Sequence, residues 1–142
     1  MKLSKKVALA VAAFFAATGQ AKTNCKNFTY KNYVSNASPT VEDCEELYRQ
    51  LGDKSMEDLD WSIGDIQSKL AYHKTCYVGG QRIEHGRSKI GNQDLRTIIR
   101  NSIDKYKAVT EHGIERVGTG GWMQCGPNIY GDQINWGIYH SP

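Results

Sequence analysis

The sequence predicts an α+β domain in which two helices pack on one face of a mainly antiparallel β-sheet, a layered sandwich stapled by disulfides. Three observations carry this. Two segments, one opening at Thr40 and one near Asn92, repeat apolar residues at helical spacing behind capping residues. The last third of the chain alternates apolar and polar residues between glycine-rich turn signals, the pattern of strands. Four cysteines, Cys25, Cys44, Cys76 and Cys125, all follow an export-type leader, and an even count in that setting implies two bridges.

The leader occupies residues 1–21 of the 142. Lys2, Lys5 and Lys6 precede an uncharged apolar run from Val7 to Ala17, and Gly19-Gln20-Ala21 supplies small residues at a cleavage site. The run is too short to span a bilayer, which takes about 20 apolar residues. Cleavage after Ala21 would leave a single domain, 22–142, secreted to the extracellular space. Without the three leader lysines, the 18 Lys and Arg fall to 15, against 15 Asp and Glu. A chain with no net charge and dispersed cations has no electrostatic footprint for nucleic acid or anionic membranes.

Segment 22–40 is polar. It holds two N-glycan acceptor tripeptides, Asn27-Phe28-Thr29 and Asn36-Ala37-Ser38, and the alternation of Phe28, Tyr30 and Asn32 suggests a short edge strand. Thr40-Val41-Glu42-Asp43 has capping-box form and opens the first helix. Cys44, Leu47, Tyr48 and Leu51 share one face of it, and Gly52 is placed to end it in the left-handed conformation. Cys44 on that face predicts a bridge to an inner strand.

Residues 53–60 are polar and acidic. Trp61, Ile63 and Ile66 mark a return to buried structure. Lys69 to Val78 reads as one strand, with Leu70, Tyr72, Cys76 and Val78 on one face and Lys74 as the exception. Gly79-Gly80 reads as a turn and Gln81-Arg82-Ile83 as a short returning strand. Residues 84–91 read as a polar loop.

Asn92 is a good N-cap, with Asp94 in the first turn, for a helix running to about Lys107. Its buried stripe is Leu95, Ile98, Ile99, Ser102, Ile103 and Tyr106. Gly118-Thr119-Gly120-Gly121 suggests crowding relieved at a bulge or turn, and Trp122 to Cys125 a strand. After turn signals at Gly126-Pro127-Asn128 and Gly131-Asp132, Ile134, Trp136 and Ile138 alternate with Asn135, Gly137 and Tyr139 in a final strand.

No arrangement in the chain names a reaction. His73, His85, His112 and His140 lack the close spacing of a zinc hydrolase, and cysteine gaps of 19, 32 and 49 residues do not suit a zinc site. No cofactor or metal is therefore expected. There is no Gly-x-Ser-x-Gly elbow. Glu57, Asp58 and Asp60 cluster as paired carboxylates of a glycosidase would, but read better as a solvated loop. Four cysteines allow three pairings, and spacing does not choose among them. Trp61, Trp122, Trp136 and the eight tyrosines offer either a carbohydrate- or partner-binding surface or a core; the alternation around Trp136 favours core there. The expected partner contacts are the loop residues Arg82, His85, Arg87, Lys89, Asn128 and Tyr130.

Taken in order, these motifs resemble a family of secreted fungal effector domains named as necrosis-inducing factors. The residues that carry the resemblance are Cys25 with Phe28, Pro39 to Cys44 with Leu47, Trp61, Cys76, Gly91-Asn92-Gln93-Asp94-Leu95 with Ile98 and Ile99, and Gly121-Trp122-Met123-Gln124-Cys125 followed by Trp136. The resemblance covers nearly all of 22–142. It implies a small extracellular protein, often from a plant-associated fungus, that acts on a host or competitor target. It implies no catalytic residues. More distantly, the helix followed by a glycine-rich strand is similar to virally encoded fungal killer toxins that block calcium channels, which usually carry more cysteines. A non-enzymatic binder and a small secreted hydrolase are the two function classes that follow.

Overall fold

The computed structural model describes residues 24–52, 60–63, 68–83, 88–126 and 132–140. The leader, the acidic cluster at Glu57 and Asp58, Ile66, the turns around Asn128 and the side chains of Trp61 and Ile63 lie outside the described residues.

A six-stranded antiparallel sheet forms one layer. Its central strand is β10 (Asp132–His140), flanked by β9 (Thr119–Cys125) and β5 (Cys76–Arg82). β4 (Ser68–His73) lies beyond β5, and two short strands, β1 (Cys25–Lys26) and β2 (Lys31–Asn32), follow one another along the far edge of β9. The edge strand expected around Phe28 and Tyr30 is thus split, and Thr29 keeps its place beside β9 by donating its N–H to the Trp122 carbonyl at 2.9 Å. Two small ribbons complete the chain: β3 (Asp60–Ile63) with β6 (Ser88–Gly91), and β7 (Ala108–Val109) with β8 (Glu115–Arg116). β6 replaces the tail of the loop expected at 84–91.

Helix α1 (Val41–Leu51) starts where the sequence indicates: Thr40 Oγ1 accepts from the Asp43 N–H at 3.2 Å. The capping box is only half made. The Asp43 carboxylate does not take the Thr40 backbone N–H, which donates to Thr75 Oγ1 at 3.2 Å, but accepts from the N–H and the hydroxyl of Thr75, at the turn between β4 and β5. Gly52 ends the helix at φ −88°, not in the left-handed region. A Cβ there would stand 2.6 Å from the Arg96 guanidinium carbon, so a larger residue would make that side chain shift from its place over the Tyr48 ring. Helix α2 (Asn92–Tyr106) takes Gly91 as its N-cap, one residue before the expected Asn92. Asn92 is instead buried and donates from Nδ2 to the Leu51 carbonyl at 2.8 Å, fastening the end of α1 to the start of α2.

The largest departure is at 69–83. The strand expected from Lys69 to Val78 is a hairpin: His73 pairs with Cys76 across a two-residue turn, Lys74-Thr75, with Lys74 at φ 48°, so Tyr72 stands opposite Tyr77 and not on the buried face of Cys76 and Val78 where the alternation put it. Gly79 and Gly80 make no turn. They pair with Gly137 and Trp136 in the middle of the sheet, and Gln81-Arg82 simply continues β5.

The core lies between the helices and one sheet face. Leu47 and Leu51 of α1 and Leu95, Ile98, Ile99 and Ile103 of α2 meet Val78, Met123, Ile134, Trp136 and Ile138, all buried. Ser102 and Thr119 share a buried hydroxyl hydrogen bond of 2.8 Å across this interface. Two bridges hold the assembly. Cys44–Cys76 joins α1 to β5, the inner-strand bridge that the position of Cys44 predicts, and Cys25–Cys125 joins β1 to β9. In the chain-entropy account, closing loops of 32 and 100 residues is worth about 3.7 and about 4.7 kcal/mol respectively.

Candidate functional site

The register of the sheet assigns every strand residue to a face, because cross-strand partners point the same way. Trp122, Asn135 and Gln81 form one row across β9, β10 and β5, on the face on which neither α1 nor α2 lies. The neighbouring row is Gly120, Gly137, Gly79 and Lys69, with Lys31 paired beside Gly120. The row after that is Tyr139, Tyr77 and Tyr72. Gln124 and Gln133 pair on the other side of Trp122, next to Lys26.

The three tyrosines form a ladder, with ring centroids 5.3 Å apart for Tyr72–Tyr77 and 6.0 Å for Tyr77–Tyr139. Lys69 Nζ sits 4.2 and 4.7 Å from the Tyr72 and Tyr77 centroids and donates to the Tyr77 hydroxyl at 3.2 Å. Tyr33 arrives from beyond β2. A Cβ on Gly120 would lie 3.2 Å from its ring, so the ring rests close against the sheet and would have to give by a few tenths of an ångström for a larger residue. Lys31 Nζ stands 5.4 Å from the Tyr33 centroid. Between Tyr33 and Trp122 lies a shallow cavity of about 460 Å³ that also reaches Lys31 and Asn135. Tyr33 and Tyr72 are 59% and 57% exposed and Trp122 39%, so the rings are offered to solvent.

This face carries no carboxylate and no aliphatic side chain at its paired strand positions. That composition is unlike the opposite face, and it is also unlike the acidic hollow beside α1, where Glu42, Asp43, Glu45, Glu46, Arg49, His73 and Lys74 gather. There Asp43 is held below the ordinary carboxylate range: burial pushes it up, but the hydrogen bonds from Thr75 and Thr40 outweigh burial. His73 Nδ1 lies 3.1 Å from the Gln50 side-chain nitrogen, a structural contact. His112 is exposed in the turn between β7 and β8, and His140 ends β10. No group of three or more metal-ligating side chains gathers among the described residues.

Of the expected partner contacts, Arg82 is drawn inward. It pairs with Asp132 at 2.9 Å, and Ser88 donates to the same carboxylate at 2.8 Å. The Ser88 hydrogen bond first, and then Arg82, hold Asp132 below its ordinary value. Lys89 is exposed on β6, remote in sequence from the ring-bearing rows. His85, Arg87, Asn128 and Tyr130 lie outside the described residues. Asn27 and Asn36 are both exposed; Asn27 Nδ2 donates to Gln124 Oε1, and Asn36 Oδ1 accepts from the Glu111 N–H. The aromatic residues divide as the alternation allows: Trp136 is core, at 4% exposure, while Trp122 faces out. The signal for Trp122 is its parity against Met123 and Cys125, and for Tyr139 its parity against Ile138.

Residues 24–125 match the family Hce2, described as "Pathogen effector; putative necrosis-inducing factor". The chain belongs to this family. The Hce2 match begins one residue before Cys25 and ends at Cys125, so the outer disulfide marks both of its ends. Strand β10, at the centre of the sheet, lies beyond it. Two proteins of Penicillium expansum are also similar. One, named "Probable chitinase LysM18", is 31% identical over 84% of this chain. The other, named "Secreted chitinase LysM12", is 28% identical over 85%. The chain spans 8% of the length of each. No helix among the described residues is long and apolar enough to cross a membrane.

Proposed function

We propose that the protein is a secreted effector that acts outside the producing cell by binding a surface component of a host or competitor, without chemical turnover. Membership of the Hce2 pathogen-effector family carries this reading. The export-type leader and the bridged cysteines support secretion, with cleavage after Ala21. The exposed rings of the open sheet face, and not the loop residues of 82–89, are the binding surface in this reading. Asn27 and Asn36 would receive glycans on the way out.

A hydrolase is the second reading, and the names of the two Penicillium relatives favour it. The match covers 8% of each, so most of their length lies elsewhere and their named activity need not reside in the shared part. The deciding experiment infiltrates purified, disulfide-intact protein into leaf tissue and scores cell death against a reduced control, with growth of a competing yeast scored in parallel. In the same preparation, release of reducing ends from chitin oligomers is measured. Cell death or growth inhibition without sugar release is expected. Sugar release abolished by a fold-preserving change at Glu57, Asp58 or Asp60 would make the protein an enzyme.

A further inference from the structure

We propose that the open sheet face is a lectin-like platform for a neutral chain of β-linked 2-acetamido sugars, of the chemical class found in chitin. This rests on the reading of the protein as an extracellular binder and names its ligand.

The argument is the composition of the face. A pyranose ring has one face of C–H groups and a rim of hydroxyls, so its recognition takes a flat aromatic surface bordered by side chains that both donate and accept. The paired rows supply that combination and little else. Tyr33, Trp122 and Tyr72 present exposed rings, and Asn135 in the row of Trp122 and Gln133 in the next row supply primary amides, while Gln124 beside Gln133 is held by Asn27. An acetamido substituent carries one N–H and one C=O, the complement of such an amide. The glycine row lowers the floor between Trp122 and the tyrosine ladder, and the cavity of about 460 Å³ between Tyr33 and Trp122 opens onto it.

Other occupants fit less well. The buried centre of a protein interface is depleted of lysine, whereas Lys31 and Lys69 stand among the rings of this face; Ile83, 51% exposed, lies past the end of β5 beside Gln133. An acidic polysaccharide is the nearest competitor, since Lys26, Lys31 and Lys69 are cations on this face; the position of Lys31 and Lys69 over the rings of Tyr33, Tyr72 and Tyr77 ties them to the aromatic surface, and the salt dependence of binding separates the two ligands.

The test uses the full secreted protein with both bridges intact. Retention on insoluble chitin is compared with cellulose, β-glucan and polygalacturonate, and calorimetry is run with N-acetylglucosamine hexamer. The expected results are retention on chitin, at least tenfold weaker hexamer binding for Trp122→Ala and for Tyr33→Ala, and roughly threefold weaker binding for Tyr72→Ala. Arg49→Ala, on the exposed side of α1, should bind as the native chain does. Each variant is first shown to melt as the native protein does. Amide shifts of the unmutated protein give a second readout: Gly120, Asn135 and Gly137 should move on adding hexamer while α1 stays still. Failure to bind chitin overturns the inference, as do equal affinity for a glucose hexamer, preference for polygalacturonate with steep salt dependence, and binding untouched by the ring substitutions. Cell death without chitin binding sinks this inference alone; chitin binding without any effect on tissue or yeast sinks the effector reading alone.

Discussion

The two faces of the sheet are built from the same strands, residue by residue in alternation, and share almost no chemistry. On β10, Ile134, Trp136 and Ile138 are sealed under the helices while Gln133 and Asn135 stay exposed. The inner face is mainly aliphatic about one tryptophan, with Thr119 and the Arg82–Asp132 pair among its polar members; the outer face is aromatic, amide, glycine and lysine with one tryptophan. Burial explains the first, because aliphatic side chains gain most from leaving water and fill a closed interior densely. It does not explain the second. Exposed rings gain nothing from folding when they remain in water, so the outer composition is better understood as serving contact with something other than the protein's own core.

The most forceful way to break this contrast is to exchange its two tryptophans for alanine. Trp136→Ala should cost about 3–5 kcal/mol, since it empties a buried site touched by Tyr30. A loss below 1 kcal/mol by chemical denaturation would mean that the inner face is not the core. Removing the inner bridge with Cys44→Ala and Cys76→Ala should follow closely, at about 2–5 kcal/mol, because α1 is held to β5 through it. Thermal melting checks this, and an unchanged midpoint would show that apolar packing alone secures the helix layer.

Gly121→Ala sharpens the contrast at the sheet edge. A Cβ there would meet the Thr29 carbonyl oxygen at 2.0 Å, so the edge segment must move, at about 1–3 kcal/mol. Gly137→Ala, with its nearest neighbour a tyrosine ring atom at 3.4 Å, should cost clearly less in the same assay. Acid comes next. The folded-state pKa values of Asp43 and Asp132 are depressed, so their stabilisation is full above the unfolded carboxylate value, near 3.9, and is lost as pH falls through the folded values. Asp43→Asn should therefore flatten the acid limb of the melting-temperature curve below about pH 4 while leaving its shape above pH 5 unchanged. Last, Trp122→Ala should change stability by no more than about 0.5 kcal/mol, the usual range for exposed positions; a larger loss would place Trp122 in the core with its counterpart.

Both helices were legible because their stripes run long enough for the 3.6-residue period to show, and the final strand because Ile134, Trp136 and Ile138 are separated by polar residues or glycine. The β4–β5 hairpin was not. Its turn, Lys74-Thr75, contains none of the usual turn formers, and the spacing of Leu70, Tyr72, Cys76 and Val78 imitates one face of a single strand, although the turn sets Tyr72 opposite Tyr77 on the open face while Cys76 and Val78 stay buried. What stabilises it is remote in sequence: Asp43 of α1 accepts from Thr75, and Thr40 donates its N–H to the Thr75 hydroxyl at 3.2 Å. The glycines misled for a related reason. Gly79 and Gly80 signal a turn in isolation, yet sit mid-sheet, and the need for a glycine at 121 is set by Thr29, which is 92 positions away. The open face was half legible. Alternation alone separates Trp122 from Met123, but only the register places Tyr72, Tyr77 and Tyr139 side by side.

The two bridges are nested, with Cys44–Cys76 lying wholly inside the stretch that Cys25–Cys125 closes. During synthesis, a chain made from its N-terminus exposes Cys25 and Cys44 first, 19 residues apart, and neither is the other's partner. Cys76 follows 32 residues after Cys44, whereas Cys25 waits 100 residues for Cys125. An early Cys25–Cys44 link has to be undone by thiolate attack before either native bridge can close. Yield of the bridged protein should then depend on the isomerase capacity of the compartment where it oxidises, and the inner bridge can mature while the outer one still lacks its second sulfur.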